Sequence, residues 1–487
     1  MPATMPYRSL TFGTDGWRAV IAEDFTFENV RLVSDAIAVA ARTLAPPVGI
    51  DRNALIVGYD RRFLSREFAD TVAESLRASG YHVLLSKHPT PSQTISFTAK
   101  HRSVLGGVMV TASHNPAKYN GLKFKAWYGG SALPETYAAI AARVGQRDTR
   151  DGGGIEEVNI LDDYVDAVRG QLDLDLLRSA KLNILHDPIH GTAAAIPSRV
   201  LGLDYVGAQR IIRREACDDD ESCIDGIRGD VNPGFGGVNP EPIPENLTAS
   251  TNVMLTGAYD LAICNDGDAD RLGILDERGE FVSPHKIIAL LALYLVREKK
   301  LKGEIVKTFS TTRLIERVAK ALGATLHETQ IGFKYVADLM LTRDILIGGE
   351  ESGGIGFGHF LPERDGILSG LLVAEAVAHY GRPLSDVIAK MEQEFGALHY
   401  NRRDVHRPMP RCARLIERVR SGELDHAFGL KFASREETDG VKLNFDDGSW
   451  ILFRKSGTES IIRIYAESPD RDQVQTMLDA AVTELDR

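Results

Sequence analysis

Thr111-Ala112-Ser113-His114-Asn115-Pro116 sets a hydroxyl and an imidazole directly after an unbroken apolar run over residues 104–110. Such a run reads as a buried strand, and a strand in an open α/β sheet delivers the next loop to its carboxyl end, where these sheets place their ligands. Ser113 can carry a phosphoryl group there, with His114 and Lys123 near enough in sequence to move protons or hold charge. The segment 118–123 adds two lysines and a tight turn, which suits phosphate better than acyl chemistry. A G-x-S-x-G nucleophile elbow is not present. Alone, Ser-His-Asn-Pro is also ordinary turn chemistry.

Three further loops carry charge. Asn265-Asp266-Gly267-Asp268-Ala269-Asp270-Arg271 follows the apolar residues 261–264. In an extended loop the three alternate carboxylates point the same way, and they repel strongly unless a cation sits between them. A few hard oxygen ligands with room for a phosphate oxygen favour Mg²⁺. An EF-hand does not fit, because Arg271 stands where that loop requires glycine and a strand precedes it. In Gly348-Gly349-Glu350-Glu351-Ser352-Gly353-Gly354, glycines allow close backbone approach, and Glu350 and Ser352 share one side of an extended loop, suited to vicinal hydroxyls. A glycine-rich hairpin is the alternative. Arg454-Lys455-Ser456-Gly457-Thr458-Glu459, between apolar strands, makes an anion cradle without the spacing of an NTPase loop. Phe12-Gly13-Thr14-Asp15-Gly16-Trp17-Arg18 is by itself a turn with an arginine.

These loops need a framework, and the chain is long enough for three or four domains: 487 residues, 43% apolar and 26% charged. The net charge of −11 argues against nucleic-acid or anionic-membrane partners. The four cysteines lack zinc-site spacing and suit a reducing compartment. Cys217 and Cys223, flanking the acidic run 218–221, are expected to be free thiols in a solvated loop. Residues 1–6 give no sign of a signal peptide. The longest apolar run, 287–296, falls short of the ~20 residues a membrane helix needs. A cytoplasmic protein is expected.

The first part of the chain alternates helix and strand. The pattern predicts a helix over 29–45, a strand over 54–60, a helix capped by Ser65 and stopped at Gly80, and a strand over 81–85. A glycine-rich stretch at 151–154 marks a boundary. A second unit has a helix over 161–170 and a strand over 181–186, and ends in the Gly/Pro/Asn-rich stretch 231–246. A third begins with a strand over 260–264 and ends with a helix over 365–380, apolar nearly all round and therefore buried. The remainder holds a strand–loop–strand over 449–467 and a final amphipathic helix. The alternation predicts α/β layers. The expected domains are 1–155, 156–257, 258–380 and 381–487, with the aspartate loop at the boundary of the second and third.

Taken in order, these motifs resemble the α-D-phosphohexomutase superfamily, the phosphoglucomutases and phosphomannomutases, over nearly the whole chain. The resemblance rests on Gly-Thr-Asp-Gly-Trp-Arg, Thr-Ala-Ser-His-Asn-Pro, Asp-Gly-Asp-Ala-Asp-Arg, Gly-Glu-Glu-Ser-Gly and Arg-x-Ser-Gly-Thr. It implies three similar α/β domains of mixed sheets and a TATA-binding-protein-like α+β domain around a central cleft. It implies that Ser113 is carried as phosphoserine and ligates one Mg²⁺ with Asp266, Asp268 and Asp270. The phosphoserine hands its phosphate to a hexose phosphate, and the bound 1,6-bisphosphate turns and returns its other phosphate, with glucose 1,6-bisphosphate as activator. Arg271 offsets the transferring charge. His114, Lys123 and Arg18 are the candidates for proton transfer and for placing the sugar hydroxyl. Lys334, Glu350, Ser352, Arg454, Ser456, Gly457 and Thr458 bind the sugar phosphate. A hinge near 381–384 lets the last domain move.

Glu350-Glu351-Ser352-Gly353 and Ile331-Gly332-Phe333-Lys334 are nearer the glucomutase forms than the mannomutase ones; the hexosamine branch usually has Gln where Glu351 stands. Gly353-Gly354 and Lys455 depart from the glucomutase pattern. The expected activity is a phosphoglucomutase acting on hexose phosphates, as a monomer or small homo-oligomer. A phosphomannomutase or dual-specificity enzyme, a hexose-1,6-bisphosphate synthase and a non-catalytic sugar-phosphate sensor are the alternatives.

Overall fold

The computed structural model describes residues 10, 12–13, 15–207, 222–455 and 461–487. It contains four sheets. The first runs in the order Phe12–Gly13, Gly16–Val20, Tyr119–Ala126, Val104–Val110, Asp51–Tyr59, His82–Ser86, Gly154–Val158, with Gly130–Ser131 attached to Tyr119–Ala126. Its centre is parallel and its serine-loop side antiparallel. Val104–Val110 is buried along its whole length, so Ser113 emerges beyond the carboxyl end of a core strand. Gly107 lets helix Ser92–His101 lie close to this strand: a Cβ there would meet Ile95 at 2.6 Å.

The second sheet runs Tyr205–Gly207, Cys223–Gly226, Asn183–Asp187, Leu261–Asn265, Leu272–Asp276, Phe281–Val282. The third runs Leu326–Thr329, Glu304–Thr308, Ile345–Gly349, Ile355–Gly356. The fourth is fully antiparallel, His399–His406, Ile461–Ser468, Trp450–Lys455, Val441–Phe445, Phe432–Glu436. It packs on helices Met409–Arg420 and Arg471–Asp486. The chain thus has three mixed α/β units and a terminal α+β unit.

Three expected boundaries move. Strand Gly154–Val158 completes the first sheet, so a cut at 155 would split it. Leu272–Asp276 folds back antiparallel on Leu261–Asn265, pairing Leu272 with Asn265, so the aspartate loop is the turn of a hairpin in the second sheet. The turn-rich stretch 231–246 therefore lies within that unit and does not end it. Beyond Gly381, helix Leu384–Phe395 buries Leu384, Val387, Ile388 and Met391 in the core of the third unit. The expected hinge at 381–384 is therefore fixed by packing; the link to the last sheet is at 396–398, where Gly396 takes φ 82°.

Smaller departures have local causes. Helix Phe27–Ala41 starts two residues early because Thr26 caps it, accepting the Asn29 N–H. Ser65 is not a cap. Leu64 occupies that position, and the Ser65 hydroxyl donates to Asp60 at 2.7 Å. Cys264 and Cys412 are free and buried. Cys223 is disulfide-bonded, not the free thiol expected, and its partner lies outside the described residues. Among the described residues no helix is long and apolar enough to cross a membrane; the apolar run lies within helix Pro284–Arg297, which is buried on all faces over residues 287–295.

Helix Gly366–Tyr380 is buried almost throughout and lies against strands Leu261–Asn265 and Leu272–Asp276, joining the third unit to the second in one core. Each fully buried Leu or Ile there contributes about 1.5–3 kcal/mol. Asp365 caps the helix, accepting the N–H groups of Ile367 and Leu368 and the hydroxyl of Tyr164 at 2.9 Å. Burial pushes its pKa up to about 6, against these hydrogen bonds. The folded state therefore holds a proton the unfolded state releases near pH 4, so this contribution is complete below pH 4 and is lost as pH rises through about 6. Replacing Asp365 by Ala should cost about 1–3 kcal/mol. Urea midpoints of wild type and Asp365→Asn between pH 4 and 7.5 should show the wild type losing ground to the variant as pH rises; a constant difference refutes the assignment.

Candidate active site

Ser113 takes φ 54°, in the left-handed region, and its side chain is buried. Its hydroxyl donates to Asp266 Oδ2 at 2.9 Å and lies 3.4 Å from His114 Nδ1. The serine of the first unit thus meets the aspartate loop of the second. Asp266, Asp268 and Asp270 are fully buried, with one carboxylate oxygen from each within 4.8 Å of the others. The loop is a tight turn and not extended: the Ala269 N–H donates to the Asp266 carbonyl at 3.0 Å, with Ala269 at φ 64°. Gly267 makes the approach possible, since a Cβ there would sit 2.7 Å from the Ser113 carbonyl oxygen.

Cations from neighbouring units neutralise the cluster. Lys123 Nζ, fully buried, lies 2.8 Å from Asp268, 3.4 Å from Asp270 and 3.3 Å from Asp15. Burial opposes its charge, but these carboxylates hold its pKa above the usual lysine range. Arg364, from the third unit, reaches Asp270 at 2.7 Å and Asp15 at 3.3 Å. Ser92 donates to Asp268 at 2.6 Å. Lys123 and Arg364 do not reach Asp266 in this way. Burial and then the charges of Asp268 and Asp270 push its pKa well up, whereas Lys123 holds Asp268 well down against burial.

The donor set fits a divalent cation. Asp268 Oδ1 and Asp270 Oδ1 are buried without a hydrogen-bond partner, on the carboxylates whose other oxygens take Lys123. An all-oxygen set of this kind suits a hard ion. It is the one such metal-ligand cluster among the described residues.

The other candidates fall around this centre. Arg18, on strand Gly16–Val20, donates to Asn115 of the serine loop at 2.9 Å. The Arg271 N–H donates to Asp266 at 3.0 Å, and its guanidinium pairs with Glu241 at 3.0 Å. Burial, then Arg271, Arg18 and Lys123, push the His114 imidazole well below its ordinary range. Glu350 lies 3.8 Å from Arg364, and burial raises its pKa to about 7. It begins a hairpin turn, not an extended loop: its N–H donates to the Gly354 carbonyl and its carbonyl accepts from Gly353, at φ 86°. Ser352 is half-buried in the same turn. Glu351 accepts from Ser310 at 2.7 Å.

Lys334 stands outside the triad, over the Tyr335 ring at the start of helix Phe333–Thr342. Its neighbour Phe333 lies against Arg364 at 5.6 Å. Arg454, on the fourth sheet, pairs with Asp439 at 2.9 Å; burial opposes its charge, and Asp439 and Glu351 help to hold it. Ser456, Gly457 and Thr458 lie outside the described residues.

Asp15, Ser92 and Arg364 were missed as site residues. Asp15 stood in a segment read as a bare turn. Ser92 and Arg364 sit at helix starts, where capping explains polar residues equally well, and only the folded contacts reveal their direction.

Comparison with known proteins agrees with this architecture. The chain matches the models for phosphoglucomutase/phosphomannomutase alpha/beta/alpha domains I, II and III over residues 9–151, 162–279 and 283–395, and the C-terminal domain over 413–484. It is 30% identical to the phosphoglucosamine mutase of Acidothermus cellulolyticus, over 94% of this chain and 91% of that one. It is 29% identical to the phosphoglucomutase/phosphomannomutase of Thermococcus kodakarensis, over 98% of both. The crystal structure of a "putative phosphomannomutase" from Thermus thermophilus superposes with a TM-score of 0.83 at 34% identity, covering 98% of this chain and 99% of that one. The chain belongs to the phosphoglucomutase/phosphomannomutase family of α-D-phosphohexomutases. It is therefore a phosphohexomutase, an isomerase of carbohydrate metabolism.

The carboxylate cluster makes a thermodynamic prediction. A cation binding only the folded state at a hundred times its Kd adds about 2.7 kcal/mol, so Mg²⁺ should raise the melting temperature of the wild type. Asp266→Asn removes one repelling charge. It should melt at or above the metal-free wild type and gain little from Mg²⁺. Equal Mg²⁺ shifts in both proteins would show that the triad is not the binding site.

Proposed function

We propose that the protein interconverts hexose 1-phosphate and hexose 6-phosphate, with glucose as the preferred sugar, through a phosphoserine at residue 113. The observation that carries this reading is the Ser113 hydroxyl donating to Asp266 at 2.9 Å, beside three buried carboxylates within 4.8 Å. Phosphoryl transfer asks for positioning and charge neutralisation more than covalent help, and this centre supplies both. Asp266, Asp268 and Asp270, with the Ser113 phosphate, would hold Mg²⁺, which offsets charge on the transferring group.

The sugar hydroxyl attacks the phosphoserine phosphorus; the bond to Ser113 Oγ breaks as the new P–O bond forms. The proton of the sugar hydroxyl passes to a base on the attacking side, while the His114 ring, 3.4 Å from Oγ, is on the side of the leaving oxygen and exchanges a proton with Ser113 Oγ there. Lys123 is committed to Asp268, Asp270 and Asp15 and serves as fixed positive charge. Arg271 and Arg18 face the serine loop and counter the phosphoryl oxygens. Arg454 holds the phosphate that is not reacting, with Ser456, Gly457 and Thr458 expected beside it, so that distal binding orients the reacting end. Glu350, Ser352 and Lys334 supply groups for the sugar. Glucose 1,6-bisphosphate charges Ser113 and acts as activator. A cytoplasmic location and a monomer or small homo-oligomer complete the reading.

The Glu350-Glu351-Ser352-Gly353 turn and Lys334 support glucose. The likeness to a phosphoglucosamine mutase supports a second reading, in which a hexosamine phosphate is the substrate. Coupled assays with glucose 1-phosphate, mannose 1-phosphate and glucosamine 1-phosphate, each with and without the matching 1,6-bisphosphate, should give the highest kcat/KM for glucose. A higher value for glucosamine selects the second reading. Ser113→Ala should lose at least ~10³-fold in turnover, on the order expected for a nucleophile, while keeping its melting temperature. Wild-type turnover in that variant eliminates the phosphoserine route.

A further inference from the structure

Ser113 is held in its left-handed conformation from both sides of its backbone, and both holds end on one buried carboxylate. Its N–H donates to Thr111 Oγ1 at 2.9 Å, and the Thr111 hydroxyl donates to Asp60 Oδ2 at 2.7 Å. Its carbonyl accepts from Arg62 Nη2 at 2.6 Å, and Arg62 Nε donates to the same Asp60 oxygen at 3.1 Å. The remaining donors of Arg62 go to the same loop: Nη2 to Asn115 O at 2.6 Å, and Nη1 to Pro116 O at 2.9 Å and Tyr119 O at 3.0 Å. A guanidinium has five N–H groups in a fixed plane; four of these bonds end on carbonyls of the serine loop and one on Asp60. The other oxygen of Asp60 is occupied by the Arg62 N–H at 2.9 Å and Ser65 Oγ at 2.7 Å. The Phe235 ring, from the second unit, lies 4.9 Å from Arg62 Cζ. Arg62 thus lies between the serine loop and the unit that carries the aspartates.

We propose that Arg62, braced by Asp60 and Thr111, is a positioning residue for phosphoryl transfer. It fixes the backbone of residue 113 so that Oγ faces Asp266 and the incoming sugar hydroxyl. The proposal rests on the reading of Ser113 as the phosphoryl carrier. Arg62 contacts the loop through carbonyl oxygens and lies behind the serine, so it tunes geometry without binding the sugar. Displacements of about 1 Å at a reacting centre cost on the order of a hundredfold in rate. Lysine keeps the charge toward Asp60 but has three donors on one nitrogen and cannot serve four carbonyls in a plane.

The test uses the full-length Arg62→Lys and Thr111→Val variants. Three quantities are measured: the rate at which glucose 1,6-bisphosphate phosphorylates Ser113, followed by intact mass; kcat and KM for glucose 1-phosphate; and the melting temperature. Arg62→Lys is expected to fold, to lose about 10–100-fold in both phosphorylation rate and kcat, and to keep KM within about threefold. Thr111→Val cuts the other arm and is expected to change the same parameters in the same direction. The double variant should lose less than the product of the single effects, because both arms restrain one backbone. Wild-type phosphorylation rate and kcat in either folded variant overturns the proposal, as does a loss confined to KM. If Arg62→Lys does not fold, Thr111→Val decides by the same criteria. A wild type that takes up no phosphate at Ser113 sinks the phosphoserine reading itself, and that result is seen before any variant is made.

Discussion

Burying three carboxylates within 4.8 Å of one another is the constraint on which the rest depends. At an effective dielectric of about 20, each pair repels by roughly 3–4 kcal/mol, before the cost of taking any of them out of water. No single α/β unit answers this. The turn comes from the second unit, Lys123 from the first, and Arg364 from the third. Lys123 and Arg364 share Asp15 and Asp270, so the cations are themselves spaced by carboxylates. The units are therefore assembled electrostatically at the site as well as hydrophobically in the core that helix Gly366–Tyr380 completes. Asp266, the carboxylate beside the serine, is the one whose charge these cations do not support, and that imbalance is what makes the place receptive to a cation.

The same demand explains where the backbone is unusual. Ser113 and Ala269 both take left-handed φ, a conformation that costs a residue with a Cβ roughly 1–2 kcal/mol. They lie in the two turns that bring the Ser113 hydroxyl and the carboxylates into contact. Each is over-determined by hydrogen bonds: Ser113 through Thr111 and Arg62, Ala269 through Asp266, Gly366 and Gln93. Strain at a functional turn persists only where the surroundings enforce it, and here the enforcing groups come from three units.

The chemistry of these loops was more legible in the sequence than their architecture. Alternate aspartates after an apolar strand, and a serine with lysines after another, identify themselves because their residue types have few bland uses in that order. Extended geometry does not hold for either loop: the aspartate loop and the Glu350 turn, for which a glycine-rich hairpin was the alternative, both close as hairpins, because the strands that come next, Leu272–Asp276 and Ile355–Gly356, pair back antiparallel. The second strand of each hairpin is short and apolar, and periodicity does not say which neighbour it joins. Unit boundaries failed for the same reason, since a turn-rich stretch looks alike whether it separates domains or crosses a sheet. Arg62, Ser92 and Arg364 were invisible because a single arginine or serine near a helix start has several innocent explanations. What distinguishes them is the set of carbonyls and carboxylates that only folding brings to them.

The Glu350 turn, proposed above for the sugar, differs physically from the surroundings of Ser113, and the difference bears on substrate choice. Around Ser113 the polar atoms are buried and most are paired, so a misplaced group is costly and the residue types are nearly dictated. Glu350 and Glu351 instead sit in a short hairpin turn, where Arg364 and Ser310 face them. A carboxylate held in that way accepts from a hydroxyl or from an ammonium, and more strongly from the ammonium. Glucose and glucosamine differ by that exchange at one carbon. Strong discrimination arises when the wrong ligand leaves a buried polar group unpaired, and the half-buried Glu351 and Ser352 of this turn can pair with water instead. On the proposed reading, selectivity then also draws on the sum of charges around the turn. Arg364 and Arg454 act on Glu350 and Glu351 there, offsetting the carboxylates' attraction for a cationic sugar. Balanced charge of that kind lowers the advantage of an amine over a hydroxyl, and this is the physical ground for the proposal of a neutral hexose.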